Sequence, residues 1–139
     1  MTEQDLQALE SHLGSPLPAF YRATLSDYPF DPDSCAAEYL LPDNSQFVIE
    51  LNSSGLLLDG VEKPFFIGSD GGEESYFIDA SKADSGVYVY DVETGEHRQL
   101  VPEWQGFLDH IRSIHAEVAA DEEAMRLSKL NKKWWEFWK

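Results

Sequence analysis

Between Pro64 and Val101 the chain carries four short runs, "FFI", "SYFID", "GVYVYD" and "HRQLV". Each is rich in aromatic or β-branched residues and bounded by Gly, Asp or Ser, the pattern of strands punctuated by turns. The gaps between them are too short for parallel pairing, which needs a crossover of a dozen residues or more. The segment is therefore constrained to an antiparallel sheet of sequence neighbours. "GSDGGEE" joins the first two runs, so Phe65–Ile67 is expected to pair with Tyr76–Ile78. "ETGE" (Glu93–Glu96) reads as a second hairpin turn, with Gly95 free to take positive φ.

Helical signals flank this segment. Thr2 is a plausible N-cap with Asp5 in capping-box position. Leu6, Leu9 and Leu13 fall on one stripe, and Gly14 is a stop. "SPLPAFYRATLSDYP" reads as a second short helix with Pro18 in its first turn and Phe20, Tyr21 and Leu25 on its apolar side. From Asp31 to Asn44 prolines and small polar residues predict a loop, with a short strand near Tyr39–Leu41. "QFVIEL" (Gln46–Leu51) has a strand-like pattern, and Leu56–Leu58 has no clear assignment. Pro102 opens the strongest helix, with Trp104, Phe107, Leu108, Ile111, Ile114, His115 and Val118 on one wide apolar stripe. Helices, strands, then a helix predict an α+β fold: amino-terminal helices, a mainly antiparallel sheet and a long carboxy-terminal helix. The boundaries expected are a domain over residues 1–120 and a separate basic tail over 121–139.

The chain's 139 residues, 42% of them apolar, suffice for one core without disulfides or metals. Cys35 is the sole cysteine, so no intrachain disulfide forms, and a reduced, cytoplasmic setting is expected. Nothing reads as a signal peptide or a membrane span. The net charge is −16, which repels nucleic acid and attracts basic partners. The charge is uneven. Residues 1–120 hold 22 acidic and 5 basic side chains, while residues 124–139 hold 5 basic side chains and one acidic one, Glu136. That tail also carries three of the four tryptophans: Trp134, Trp135 and Trp138. Indoles and lysines together suit a membrane interface, docking on the acidic body, or docking on a partner. Docking on protein is the favoured reading, because the body's charge opposes an anionic lipid surface.

The acidic glycine loop fits ligand chemistry poorly. A phosphate cradle needs consecutive N–H groups, usually opening a helix, and often a lysine. Here the nearest following cation is Lys82, Asp70, Glu73 and Glu74 would repel phosphate, and a strand follows. Asp70, Glu73, Glu74 and Asp79 supply oxygens, but the spacing of a calcium loop is missing. The simplest reading is a hairpin with solvated charges. Elsewhere, Cys35 sits in the predicted loop with no histidine nearby. His12, His97, His110 and His115 lack metal-ligand spacing, and His115, on the apolar stripe, reads as a core-edge residue. Tyr88 and Tyr90 share one strand face and Val87 and Val89 the other. A tyrosine face can serve recognition, but packing under a helix is its commoner use. No complete catalytic constellation is present, so no catalysis, cofactor or metal is expected.

"FFIGSDGGEESYFID", "SGVYVYDVETGE" and "WQGFLDHI" together resemble the SUKH superfamily (the Smi/Knr-like domain). The residues that carry the likeness are Ile67, Gly68, Asp70, Gly71 and Gly72, then Tyr76–Asp79, Val87–Asp91, and Trp104, Phe107 and Leu108. "LESHLGSPLPAFYRATL" resembles the family's entry motif through Leu13, Gly14, Leu17, Pro18 and Tyr21. One departure stands out: Glu73 and Glu74 occupy the places of a glycine and an aspartate in the family's turn. The resemblance implies a non-catalytic protein-binding module, most often an immunity protein that neutralises a cognate bacterial toxin stoichiometrically. The alternative it implies is a regulatory or scaffold protein on cell-wall, translocon or other machinery, with the tail as a membrane or partner anchor. The candidate contact residues are Asp70, Glu73, Glu74, Asp79, Trp134, Trp135 and Trp138. The expected partner is a basic toxin domain, with no nucleic acid, and with membrane reached only through the tail.

Overall fold

The computed structural model of the chain describes residues 1–83 and 86–117. Helix α1 (Glu3–Leu13) starts at a full capping box. Thr2 accepts from the Asp5 N–H, and the Asp5 carboxylate accepts from the Thr2 N–H in return. These bonds hold the Asp5 carboxyl below its ordinary pKa. The helix ends at Gly14 and buries Leu6 and Leu9. Helix α2 (Ala19–Ser26) begins one residue after Pro18, which caps it, and buries Tyr21 and Leu25. Arg22 ties the two helices together by pairing with both Glu3 and Glu10 of α1.

Two expectations fail in the next stretch. Residues Ala36–Leu40 form a π-helical turn, not a strand, closed by the Leu41 N–H bonding to the Ala36 carbonyl at 2.8 Å. Gln46–Leu51 is helical within α3 (Ser45–Leu51). The strand-like alternation of Phe47, Ile49 and Leu51 is overridden by a cap: the Asn44 side chain accepts the Phe47 N–H at 3.1 Å. Only Val48 is fully buried on α3, so apolar burial did not set its periodicity.

The sheet follows the predicted meander, with strands β1 (Pro64–Ser69), β2 (Glu74–Asp79), β3 (Val87–Asp91) and β4 (His97–Val101) side by side in sequence order, all antiparallel. Phe65 pairs with Ile78 and Phe66 with Phe77. A bulge at Ile67 then brings Gly68 opposite Tyr76. One face of the sheet (Phe65, Ile67, Tyr76, Ile78, Val87 and Val89) joins Leu6, Leu9, Tyr21 and Leu25 in a single core. Helix α4, residues 104–117, closes that core with Phe107, Leu108 and Ile111. Phe107 meets the Tyr76 ring edge-on at 5.2 Å. The Trp104 indole N–H donates to Thr24 Oγ1 at 2.8 Å, which fastens α4 to α2. His115 is exposed rather than at the core edge, because the stripe narrows to Ile114 in the last described turn.

Tyr88 and Tyr90 lie on the opposite sheet face, where among the described residues they pack on other sheet residues rather than under a helix. There Tyr88 stacks on Phe77 at 5.3 Å, Tyr90 meets Phe66 edge-on at 6.1 Å, and His97 approaches Phe77 at 5.9 Å. The tyrosines serve packing, but in a second, aromatic layer of the sheet itself. Among the described residues no helix is long and apolar enough to cross a membrane.

Candidate protein-binding site

A meander places its first and third turns at the same end of the sheet. Here those turns are Asp70–Glu73 and Val92–Glu96. Each is built by an aspartate that accepts backbone N–H groups. Asp70 Oδ1 accepts from Gly72 at 2.8 Å and Glu74 at 3.2 Å. Asp91 Oδ1 accepts from Glu93 at 2.9 Å and Thr94 at 3.2 Å. Such side-chain caps substitute for ladder partners where the chain reverses. A bond outside the ladder then docks the turns on each other: the Val92 N–H donates to the Glu73 carbonyl at 2.9 Å.

The first turn is also seated on the π-helical turn. A Cβ on Gly68 would lie 2.0 Å from the Leu40 carbonyl oxygen, so only glycine admits this approach. Gly71 has φ of 82°, and a Cβ added there would lie 3.3 Å from the Tyr39 ring. The glycines therefore serve backbone proximity and a left-handed residue. Among the described residues no group of three His, Cys, Asp or Glu side chains could hold a metal ion.

Docking the turns collects carboxylates. Glu73 meets Glu93 within hydrogen-bonding range, with Asp91 and Asp70 nearby. The shared hydrogen bond with Glu93, then partial desolvation and the two aspartate charges, raise the Glu73 pKa. Glu74 faces Asp91 across the ladder and pairs with Arg98 at 3.5 Å. Beside this pair lies a shallow polar hollow of about 150 Å³, bordered by Glu74, Asp91, Thr94, Glu96, His97 and Arg98. Val92, 60% exposed, stands at the tip. The result is an acidic rim with one arginine on it.

The structure thus brings Asp70, Glu73 and Glu74 together and sends Asp79 elsewhere. Asp79 lies at the other end of β2 and is 2% exposed. Its Oδ1 accepts from the Lys63 N–H at 3.2 Å, the Ser81 N–H at 3.0 Å and the Ser81 hydroxyl at 2.5 Å. Burial pushes its pKa up, and these donors, with the Glu62 N–H, outweigh burial and hold it below the ordinary value. This carboxylate closes the fold and presents nothing to a partner. Trp134, Trp135 and Trp138 lie outside the described residues. Asp91, Glu93, Glu96 and Arg98 belong to the rim and were missed in the sequence. The signal for them was topological, since the two turns of a short-stranded meander must meet.

Comparison with models of known protein families, with curated proteins and with solved structures finds no match to this chain.

Proposed function

We propose that the protein is a non-catalytic binding module that neutralises a basic partner, in the manner of a toxin-immunity protein of the SUKH type. The observation that carries this reading is the rim. Its carboxylates are crowded enough to raise the Glu73 pKa, and one arginine, Arg98, offsets them. A cationic surface would relieve that repulsion on contact. The field of a body with 22 acidic and 5 basic side chains would speed encounter, and Val92 at the tip would add apolar contact. The resemblance in Ile67–Gly72, Tyr76–Asp79 and Val87–Asp91 supports the scaffold assignment, and a scaffold alone names no partner.

The first partner to test is the protein encoded beside this chain. Calorimetric titration should give one-to-one binding that silences that protein's toxicity or enzymatic activity. Charge reversal of the rim (Glu73→Lys with Glu93→Lys) should weaken binding at least tenfold, mainly through slower association. Full neutralisation by the reversed variant would remove the rim from the interface. Turnover of a substrate by the purified chain, abolished by Glu73→Gln, would replace the binding reading with a catalytic one.

A further inference from the structure

The sheet has two edges, and the fold treats them differently. Strand β1 forms one of them. There the Asn52 side chain accepts the Phe66 N–H at 2.7 Å and donates to the Phe66 carbonyl at 2.9 Å, as a neighbouring strand would. Farther along β1 the Leu40 backbone lies against Gly68. This edge is closed to another strand. Strand β4 forms the other edge, with β3 on one side and, among the described residues, no strand on the other.

Register shows which backbone groups β4 turns outward. The Asp91 N–H donates to the Glu96 carbonyl at 2.8 Å, so that carbonyl faces β3. Successive residues of an antiparallel strand turn their backbone groups to opposite sides. His97, opposite Tyr90, therefore directs its N–H and carbonyl away from β3. Arg98 faces inward, and Gln99, opposite Tyr88, faces outward again. Among the described residues no backbone bond outside the ladder reaches His97 or Gln99, and Arg98 and Gln99 are exposed. An open edge of this kind is a template for an added strand. It is a short one. A bulge at Leu100 breaks the alternation, and Pro102 beyond it has no N–H to offer. The edge fits a few extended residues and not a long strand.

Charge selects the occupant. Glu96 precedes the edge and Glu103 follows it, and Glu96, His97 and Arg98 also border the hollow of the acidic rim. Arg98 is already paired with Glu74. A second copy of the chain would bring a further net charge of −16 against this one, whereas a cationic segment is drawn to it. We propose that the β4 edge receives an extended basic segment of a partner protein as an added strand, bonded to the backbone of His97 and Gln99. The pairing rests on register, and the choice of a basic partner rests on the binding-module reading of the rim.

The test is an amide NMR titration of the full chain with acetyl-Lys-Val-Lys-Val-Lys-Val-Lys-amide. The peptide should shift the His97 and Gln99 signals saturably and slow the exchange of both amides with solvent. The same peptide N-methylated at every residue keeps the charges but donates no backbone hydrogen bond, and it should bind at least tenfold more weakly. Gln99→Pro removes an outward N–H that the ladder does not use, a place where an edge strand tolerates proline. Its β1 to β3 signals should be kept and its affinity for the unmethylated peptide should fall at least tenfold. Equal affinity for the methylated peptide, unchanged affinity in Gln99→Pro, or the lack of any saturable shift would each overturn the proposal. Shifts confined to residues 70–73 and 92–96 would overturn edge pairing and leave the rim reading standing. Shifts at His97 and Gln99 matched by a Glu–Val peptide of the same length would overturn the basic occupant and, with it, the rim reading. Shifts at Gln99 that grow with protein concentration alone would place a second copy on the edge and overturn the basic occupant.

Discussion

A carboxylate stands at each end of β2, Asp79 as its last residue and Glu73 just before its first, and the two are used in opposite ways. At Asp79 a buried carboxylate meets N–H and O–H donors, and its pKa falls. At Glu73 an exposed carboxylate meets other carboxylates, and its pKa rises. The first arrangement favours the charged, folded state. The second opposes it, so the rim's repulsion is held in place by the rest of the fold. The difference separates carboxylates that build the domain from carboxylates that the domain carries for another purpose.

The rim stands on the close seat of the first turn, so the largest effect should come from breaking that seat. Gly68→Ala would drive a Cβ to 2.0 Å from the Leu40 carbonyl oxygen. Backbone on both sides must move, at a cost of about 3 kcal/mol. Chemical denaturation should show this loss, together with altered signals for residues 36–40 and 70–74. A variant as stable as the native chain would mean that the π-helical turn does not position the rim.

Asp79→Ala comes next. It leaves the N–H groups of Lys63 and Ser81 without their acceptor, and hydrogen bonds to a charged group contribute about 1.5–3 kcal/mol. The pH dependence has a definite sign. A depressed folded pKa gives stability that is present above the ordinary value of 3.8 and is lost as pH falls through the folded pKa. The gap between native and Asp79→Ala stabilities should therefore narrow in acid. A constant gap from neutral pH down to about 2 would argue that the charge contributes nothing.

Gly71→Ala should be milder. A left-handed residue with a Cβ costs about 1–2 kcal/mol, and the added carbon would lie 3.3 Å from the Tyr39 ring. The melting temperature should fall while the sheet register is kept. A change smaller than the scatter between repeated melts would show that the turn can relax without positive φ at this residue.

How much of this was legible beforehand follows the range of the interactions. The meander, the capping box at Thr2 and the positive φ at Gly95 are local and were readable from neighbouring residues. The helix Ser45–Leu51 was misread because its apolar residues alternate. The decisive residue, Asn44, lies before the pattern, and the helix then delivers Asn52 to the Phe66 backbone. The π-helical turn had no local signal, since its reason is a glycine about thirty residues later that lets Leu40 approach. Asp70, Glu73 and Glu74 were picked out from the acidic glycine loop between two strand-like runs. Asp79 looked equivalent to them, and only the return of the chain through Lys63 and Ser81 shows that it is buried. The partners of Glu73 across the rim, Glu93 and Asp91, depend on turn docking and were invisible to motif reading.

The most direct test of the contrast is the stability of Glu73→Gln against the native chain from about pH 4 to pH 8, at low and high salt. A raised folded pKa gives stability that is fully present below the ordinary value of 4.5 and is lost as pH rises through the folded pKa. Near neutral pH the native chain therefore carries the repulsion and Glu73→Gln does not. The account predicts that Glu73→Gln is at least as stable as the native chain at neutral pH and low salt. It also predicts that added salt narrows the difference by screening. A Glu73→Gln chain clearly less stable than native at neutral pH would contradict it, because the rim would then be holding the fold together.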